Sequence, residues 1–227
     1  MTVKVKICGV RDADAVRASV EAGAAYLGFV FFAKSPRAVS ADEARDLALE
    51  TPPGLCKVGL FVDPTDAFLD QTLATAPLDM LQLHGRETPE RVAKIARRVG
   101  LPIMKAVSIG AAQDLPALAA HEATADQILC DARPPSDHPL PGGAGVSFDW
   151  RLIAGRRWRR PWMLAGGLTT ANVAEAIRLT GATQVDVSSG VESAPGLKSS
   201  EKIRAFIDAA RNAERPEAPP QGDGHAA

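Results

Sequence analysis

A thiol and a carboxylate stand where this sequence could move protons. Cys8 closes the short apolar run VKVKIC, and Asp131 closes the run QILCD. A thiolate takes a proton and a carboxylic acid gives one, so the pair suits general acid–base chemistry on a substrate held between them. Cysteine also serves as a covalent nucleophile, a use that needs a base beside it. His84, ending MLQLHG, is the only histidine placed to be that base; its bland reading is a loop histidine bonded to backbone. His121, His138 and His225 fall on a helix end, in a long loop and in the C-terminal tail, with no evident role. Arg37, in AKSPRAVS, follows a proline and could grip a carboxylate at two points; its bland reading is a solvated loop charge. No His/Cys/Asp cluster has metal-site spacing, so no metal site is expected.

The elements that must position these residues alternate along the chain. Eight runs rich in Val, Ile and Leu recur: VKVKIC, AYLGFVFF, CKVGLFV, MLQLHG, IMKAVS, QILCD, WMLAGG and QVDVSSG. Between them lie helical patterns at Asp12 to Ala22, Ala41 to Glu50, Pro89 to Val99 and Ala171 to Leu179. Strand and helix in strict alternation mean a parallel sheet. Eight such units with no second domain left over predict a single closed (β/α)8 barrel, a TIM barrel, over residues 1–212. Ser40 with Glu43 forms a capping box, and Thr88 before Pro89 is a helix start. Gly100, Gly155 and Gly181 stand where helical runs want a left-handed end. The stretch Ala132 to Val146 is a long Gly/Pro-rich loop, and residues 213–227 read as a disordered tail.

In such a barrel the active site is built from the loops at the C-terminal strand ends. Those ends carry Cys8, Arg37, His84 and Asp131, and two Gly-rich turns. The turns, LAGGLT after strand seven and VSSG after strand eight, free backbone N–H groups for a phosphate. Gly166, Gly167, Leu168, Ser188, Ser189 and Gly190 are the phosphate candidates; two ordinary tight turns are the alternative. Strand parity sorts the rest. Lys4, Lys6 and Cys8 face inward and Val3, Val5 and Ile7 outward; Asp131 faces inward and Cys130 toward the helices, as a structural residue. An inward Lys6 needs a partner. Asp186 on the neighbouring strand eight is that partner, while an ammonium beside Cys8 would favour its thiolate. Arg37, His84 and Asp186 are the candidate substrate-binding residues.

Composition limits the partners. With 26 Lys plus Arg against 27 Asp plus Glu, the net charge is -1, which argues against a nucleic-acid partner. A small phosphorylated substrate must then be drawn by local groups rather than by the field of the whole molecule. The N-terminus lacks a signal-peptide apolar stretch, and no run is long enough to span a membrane. Three cysteines match no disulfide framework, so the cytoplasm is expected. Either a monomer or a homodimer fits.

These motifs, in this order, resemble the phosphoribosylanthranilate isomerases of tryptophan biosynthesis. VKICGVRD, GFVFFAKSPRAVS, VGLFVDP, LQLHGRE, LCDA, GGAGVSFDW, LAGGLTTANVAEAI and VDVSSGVESAPGLKSSEKI carry the likeness over nearly the whole chain. The resemblance implies an Amadori rearrangement of N-(5′-phosphoribosyl)anthranilate without metal or cofactor. It implies Asp131 as the acid that opens the ribose ring and Cys8 as the base that takes the C2′ proton. It implies Arg37 at the anthranilate part, and backbone amides of Gly166 to Leu168 and Ser188 to Gly190 at the phosphate. Two positions depart from the family pattern: Ala144 replaces a threonine in the long loop, and Thr170 replaces a proline at a helix start. Another phosphosugar isomerase is disfavoured, since a dual-substrate barrel would end strands one and five in aspartate. Indole-3-glycerol phosphate synthase is disfavoured too, for want of its lysines and glutamate at strand ends. A barrel that binds a phosphosugar without turnover is the remaining alternative, disfavoured because Cys8 and Asp131 are both present.

Overall fold

Eight parallel strands pair in chain order and close on themselves. The computed structural model describes residues 2–135, 142–143 and 145–213. Its strands are β1 (Lys4–Cys8), β2 (Tyr26–Phe31), β3 (Cys56–Phe61), β4 (Met80–Leu83), β5 (Ile103–Ile109), β6 (Gln127–Ala132), β7 (Trp162–Leu164) and β8 (Gln184–Val187). The last returns to the first, with Lys6 opposite Asp186 and Ile7 opposite Val187. The expected (β/α)8 barrel is therefore the fold.

Parity along each strand divides the core in two. Met104, Ala106, Leu129, Met163 and Ala165 fill the barrel interior, with Tyr26 and Met80 packed against them. The alternate residues, among them Val5, Ile7, Leu27, Cys130, Val185 and Val187, join the larger layer beneath the helices. Cys130 is fully buried there, as its outward parity requires.

Seven α-helices surround the strands among the described residues: α1 (Ala13–Glu21), α2 (Ala41–Glu50), α3 (Asp66–Thr75), α4 (Pro89–Val99), α5 (Leu115–Glu122), α6 (Val173–Thr180) and α7 (Ser200–Arg211). Local chemistry sets their ends. Ser40 and Glu43 form the capping box of α2. Thr88 accepts from the Arg91 N–H, Pro89 opens α4, and Gly100 ends it at φ 65°. Helix α4 buries Val92 and Ile95 completely, each burial contributing about 1.5–3 kcal/mol.

Two elements differ from the sequence reading. Helix α6 begins at Val173 rather than Ala171, because the Asn172 side chain accepts the Thr169 N–H and donates to the Gly167 carbonyl, holding a turn there. Thr170 sits in that turn, outside the helix. Between β6 and β7 the described residues form only a 3-10 turn (Trp150–Leu152), which Asp149 caps; Gly155 follows it at φ 68°. One unforeseen element matters for the site: a short hairpin of β9 (Glu192–Ala194) and β10 (Leu197–Lys198), between β8 and α7. Ala144, His138, His225 and most of the 213–227 tail lie outside the described residues, as does part of the long loop.

Candidate active site

A cleft of about 780 Å³, counted to its open mouth, lies at the C-terminal end of the barrel. Cys8, Arg37, His84, Asp131 and Asp186 all line it. So do Gly166, Gly167 and Leu168 after β7, and Ser188 and Ser189 after β8. Gly190 follows in the 3-10 turn Ser189–Val191. Of the candidate site residues, all but Gly190 line this one cleft.

Cys8 ends β1 on the inner face and is 5% exposed. Beneath it the fully buried Lys6 gives Nζ to Asp186 Oδ1 at 2.9 Å, the pairing that parity requires. Gly28, the β2 register partner of Cys8, keeps the floor open: a Cβ there would lie 3.1 Å from both the Cys8 sulfur and Lys6 Nζ. Burial pushes the Cys8 thiol up; Lys6 and Lys198 pull the other way without cancelling it. Lys6 itself is held cationic, because Asp186 and Cys8 outweigh the cost of its burial.

Asp131 is the last residue but one of β6 and lines the cleft beside His84. Its Oδ1 accepts the Ala132 N–H at 2.9 Å, and Oδ2 lies 3.1 Å from His84 Nε2. The other ring nitrogen, Nδ1, is 2.9 Å from Nε2 of the buried Gln82. The His84 ring therefore bonds side chains rather than backbone, and both its ring nitrogens are occupied by groups other than Cys8. That arrangement serves the carboxylate and leaves a nucleophilic Cys8 without its base.

Of the two phosphate-candidate turns, the one after β7 has an unusual backbone. Gly166 and Gly167 take φ of 85° and 60°, a conformation that turns successive N–H groups the same way and that side chains rarely adopt. The opposite wall is apolar, made by Val30, Phe32, Leu60 and Val62. It suits a flat hydrophobic ring.

Arg37 is not the solvated loop charge of its bland reading. It is 7% exposed, and its guanidinium is forked onto Glu192, Nε to Oε1 at 2.7 Å and Nη2 to Oε2 at 2.9 Å. Glu192 also accepts Lys198 Nζ at 2.8 Å. Sequence reasoning missed Gln82, Glu192, Lys198 and the apolar wall. A Glu and a Lys flanking SAPG, a turn signal, were the one trace of the hairpin. Among the described residues no group of three or more His, Cys, Asp or Glu side chains could hold a metal ion, and no helix is long and apolar enough to cross a membrane.

Residues 5–209 match the family described as N-(5'phosphoribosyl)anthranilate (PRA) isomerase. The chain is 59% identical over 209 residues to the N-(5'-phosphoribosyl)anthranilate isomerase of Cereibacter sphaeroides, covering 92% of this chain and 99% of that one. It is 59% identical over 211 residues to the corresponding protein of Paramagnetospirillum magneticum, covering 93% and 98%. Among solved structures, phosphoribosyl anthranilate isomerase from Thermotoga maritima superposes with TM-score 0.83 at 37% identity, over 92% of this chain and 98% of that one. A second, the isomerase in complex with reduced 1-(o-carboxyphenylamino)-1-deoxyribulose 5-phosphate, gives 0.80 at 36% identity over the same shares.

Proposed function

The chain belongs to the N-(5'-phosphoribosyl)anthranilate isomerase family of tryptophan biosynthesis, and from that premise we propose that Asp131 and Cys8 carry its Amadori rearrangement as acid and base. Asp131 gives its proton to the ribose ring oxygen. The C1′–O bond breaks as the anthranilate nitrogen lone pair forms a Schiff base. The Cys8 thiolate then takes the C2′ proton, and the electron pair released makes the enolamine. Tautomerisation of the enolamine yields 1-(2-carboxyphenylamino)-1-deoxyribulose 5-phosphate.

The observation that carries this reading is convergence: thiol, carboxylate, arginine and both Gly/Ser turns line one cleft. Within it the substrate has a natural orientation. The phosphate goes to Gly166–Leu168 and Ser188–Gly190, the aromatic ring to the apolar wall, and the ring carboxylate to Arg37. Because Asp131 bonds His84, that histidine is placed to hold and replenish the proton Asp131 gives. Burial raises the Cys8 thiol while the Lys6 and Lys198 ammonium groups oppose it, so those two cations are what favours the thiolate that acts as base.

The enzyme is assigned to the cytoplasm, as a monomer or homodimer on a small phosphorylated substrate, with no nucleic-acid partner. A Thermotoga maritima relative is described as dimeric. The test is to generate N-(5'-phosphoribosyl)anthranilate in the cuvette and follow its fluorescence as this protein is added. Rapid loss of emission supports the reading. A flat trace from folded protein would leave a phosphosugar-binding barrel.

A further inference from the structure

The β9–β10 hairpin touches two parts of the site directly and, through Ser188, a third. Glu192, on β9, takes one edge of the Arg37 guanidinium, through Nε and Nη2. Lys198, on β10, has a side chain with no exposure, and binds Glu192 Oε1 at 2.8 Å and the Ser188 carbonyl at 3.0 Å. Ser188 Oγ in turn donates to the Cys8 carbonyl at 3.0 Å. One chain of contacts therefore links Arg37 to the phosphate-candidate turn and to the strand end that carries the thiol.

The geometry at Arg37 is selective. With the Nε–Nη2 edge taken by Glu192, the end carrying Nη1 is left over, and Nη1 lies against Gly143 on the cleft lining. A guanidinium pinned on one side by a carboxylate keeps a single orientation, at no cost when a second carboxylate arrives. Lys198 is what makes the pin durable. Burial alone would raise the Glu192 carboxyl, but Arg37 and Lys198 outweigh it and hold it below the usual range. The three groups together carry a net positive charge beside a cleft in a chain of net charge -1.

We propose that Glu192 is a positioning residue for substrate recognition: backed by Lys198, it holds Arg37 so that the free Nη1 end meets the carboxylate of the aromatic part of the substrate. The proposal rests on Arg37 being that carboxylate's partner, and the experiment separates the two.

Kinetics are measured for Arg37→Ala, Arg37→Lys, Glu192→Gln and the double variant Arg37→Ala with Glu192→Gln, each checked for a native circular-dichroism spectrum. Loss of one charge-assisted hydrogen bond corresponds to about a tenfold rise in KM for Glu192→Gln. Its kcat should stay within about twofold, since the contact is made equally in ground and transition states. The double variant should match Arg37→Ala, because the two residues act on one contact. Arg37→Lys, which keeps a cation for Glu192 but has no Nη1, should behave as Arg37→Ala does; this variant decides the matter if Glu192→Gln does not fold. A normal KM in Arg37→Ala would remove the underlying reading of Arg37. A raised KM there with a normal KM in Glu192→Gln, additive effects in the double variant, or rescue by Arg37→Lys would overturn the positioning role.

Discussion

Lys6 and Asp186 face each other across the seam that closes the barrel, register partners on β1 and β8 whose side chains meet at 2.9 Å. The pair lies directly under Cys8, so barrel closure and thiol chemistry share one ammonium. Breaking a buried ion pair by removing one partner strands the other charge, at a cost of about 3–5 kcal/mol. Lys6→Met should therefore lower the thermal unfolding midpoint markedly. A midpoint within error of the unsubstituted protein would mean that the seam does not depend on the pair.

The same ammonium bears on the thiol. Burial lifts the Cys8 pKa above the ordinary thiol range, and Lys6 opposes the lift. A raised pKa means that the thiolate appears only as pH climbs past that range. The rate of Cys8 alkylation by iodoacetamide, read by mass spectrometry, should therefore reach half its maximum at a higher pH than a free thiol, whose pKa is about 8.5. Where Lys6→Met folds, the half-point should move higher still. A half-point below that of a free thiol would show the ammonium winning over burial.

Cys8 and Cys130 offer a test of parity. Both are buried, but Cys8 lines the cleft and Cys130 sits under the helices with its thiol pushed far up by burial. Cys8→Ser should nearly abolish turnover. Cys130→Ser should leave kcat close to normal and cost stability instead, since a hydroxyl is placed in an apolar layer. The reverse order of kcat losses would contradict the assignment.

The period of two along a strand made much of this legible. Lys6, Cys8, Asp131 and Asp186 follow from knowing which face looks inward, and helix caps such as Thr88 and Ser40 are written in neighbouring residues. Contacts between distant strands were not written there. Gln82 on β4 reaches Asp131 on β6 only through His84, and Glu192 finds Arg37 across 155 residues of sequence. The hairpin holding Glu192 and Lys198 has strands of three and two residues, too short to show any periodicity. The segment from Trp150 to Arg160 carries a helix-like mixture of residues, yet forms a single 3-10 turn before the left-handed Gly155.

In the proposed rearrangement one proton leaves Asp131 and another arrives on Cys8. The most direct test is the fluorescence decay of N-(5'-phosphoribosyl)anthranilate with Cys8→Ala and with Asp131→Ala, each shown to be folded. General acid and base groups each contribute about 10²–10⁴-fold, so each variant should slow the decay by at least about a hundredfold. Near-normal decay in either variant would contradict the account and return that residue to the cleft lining.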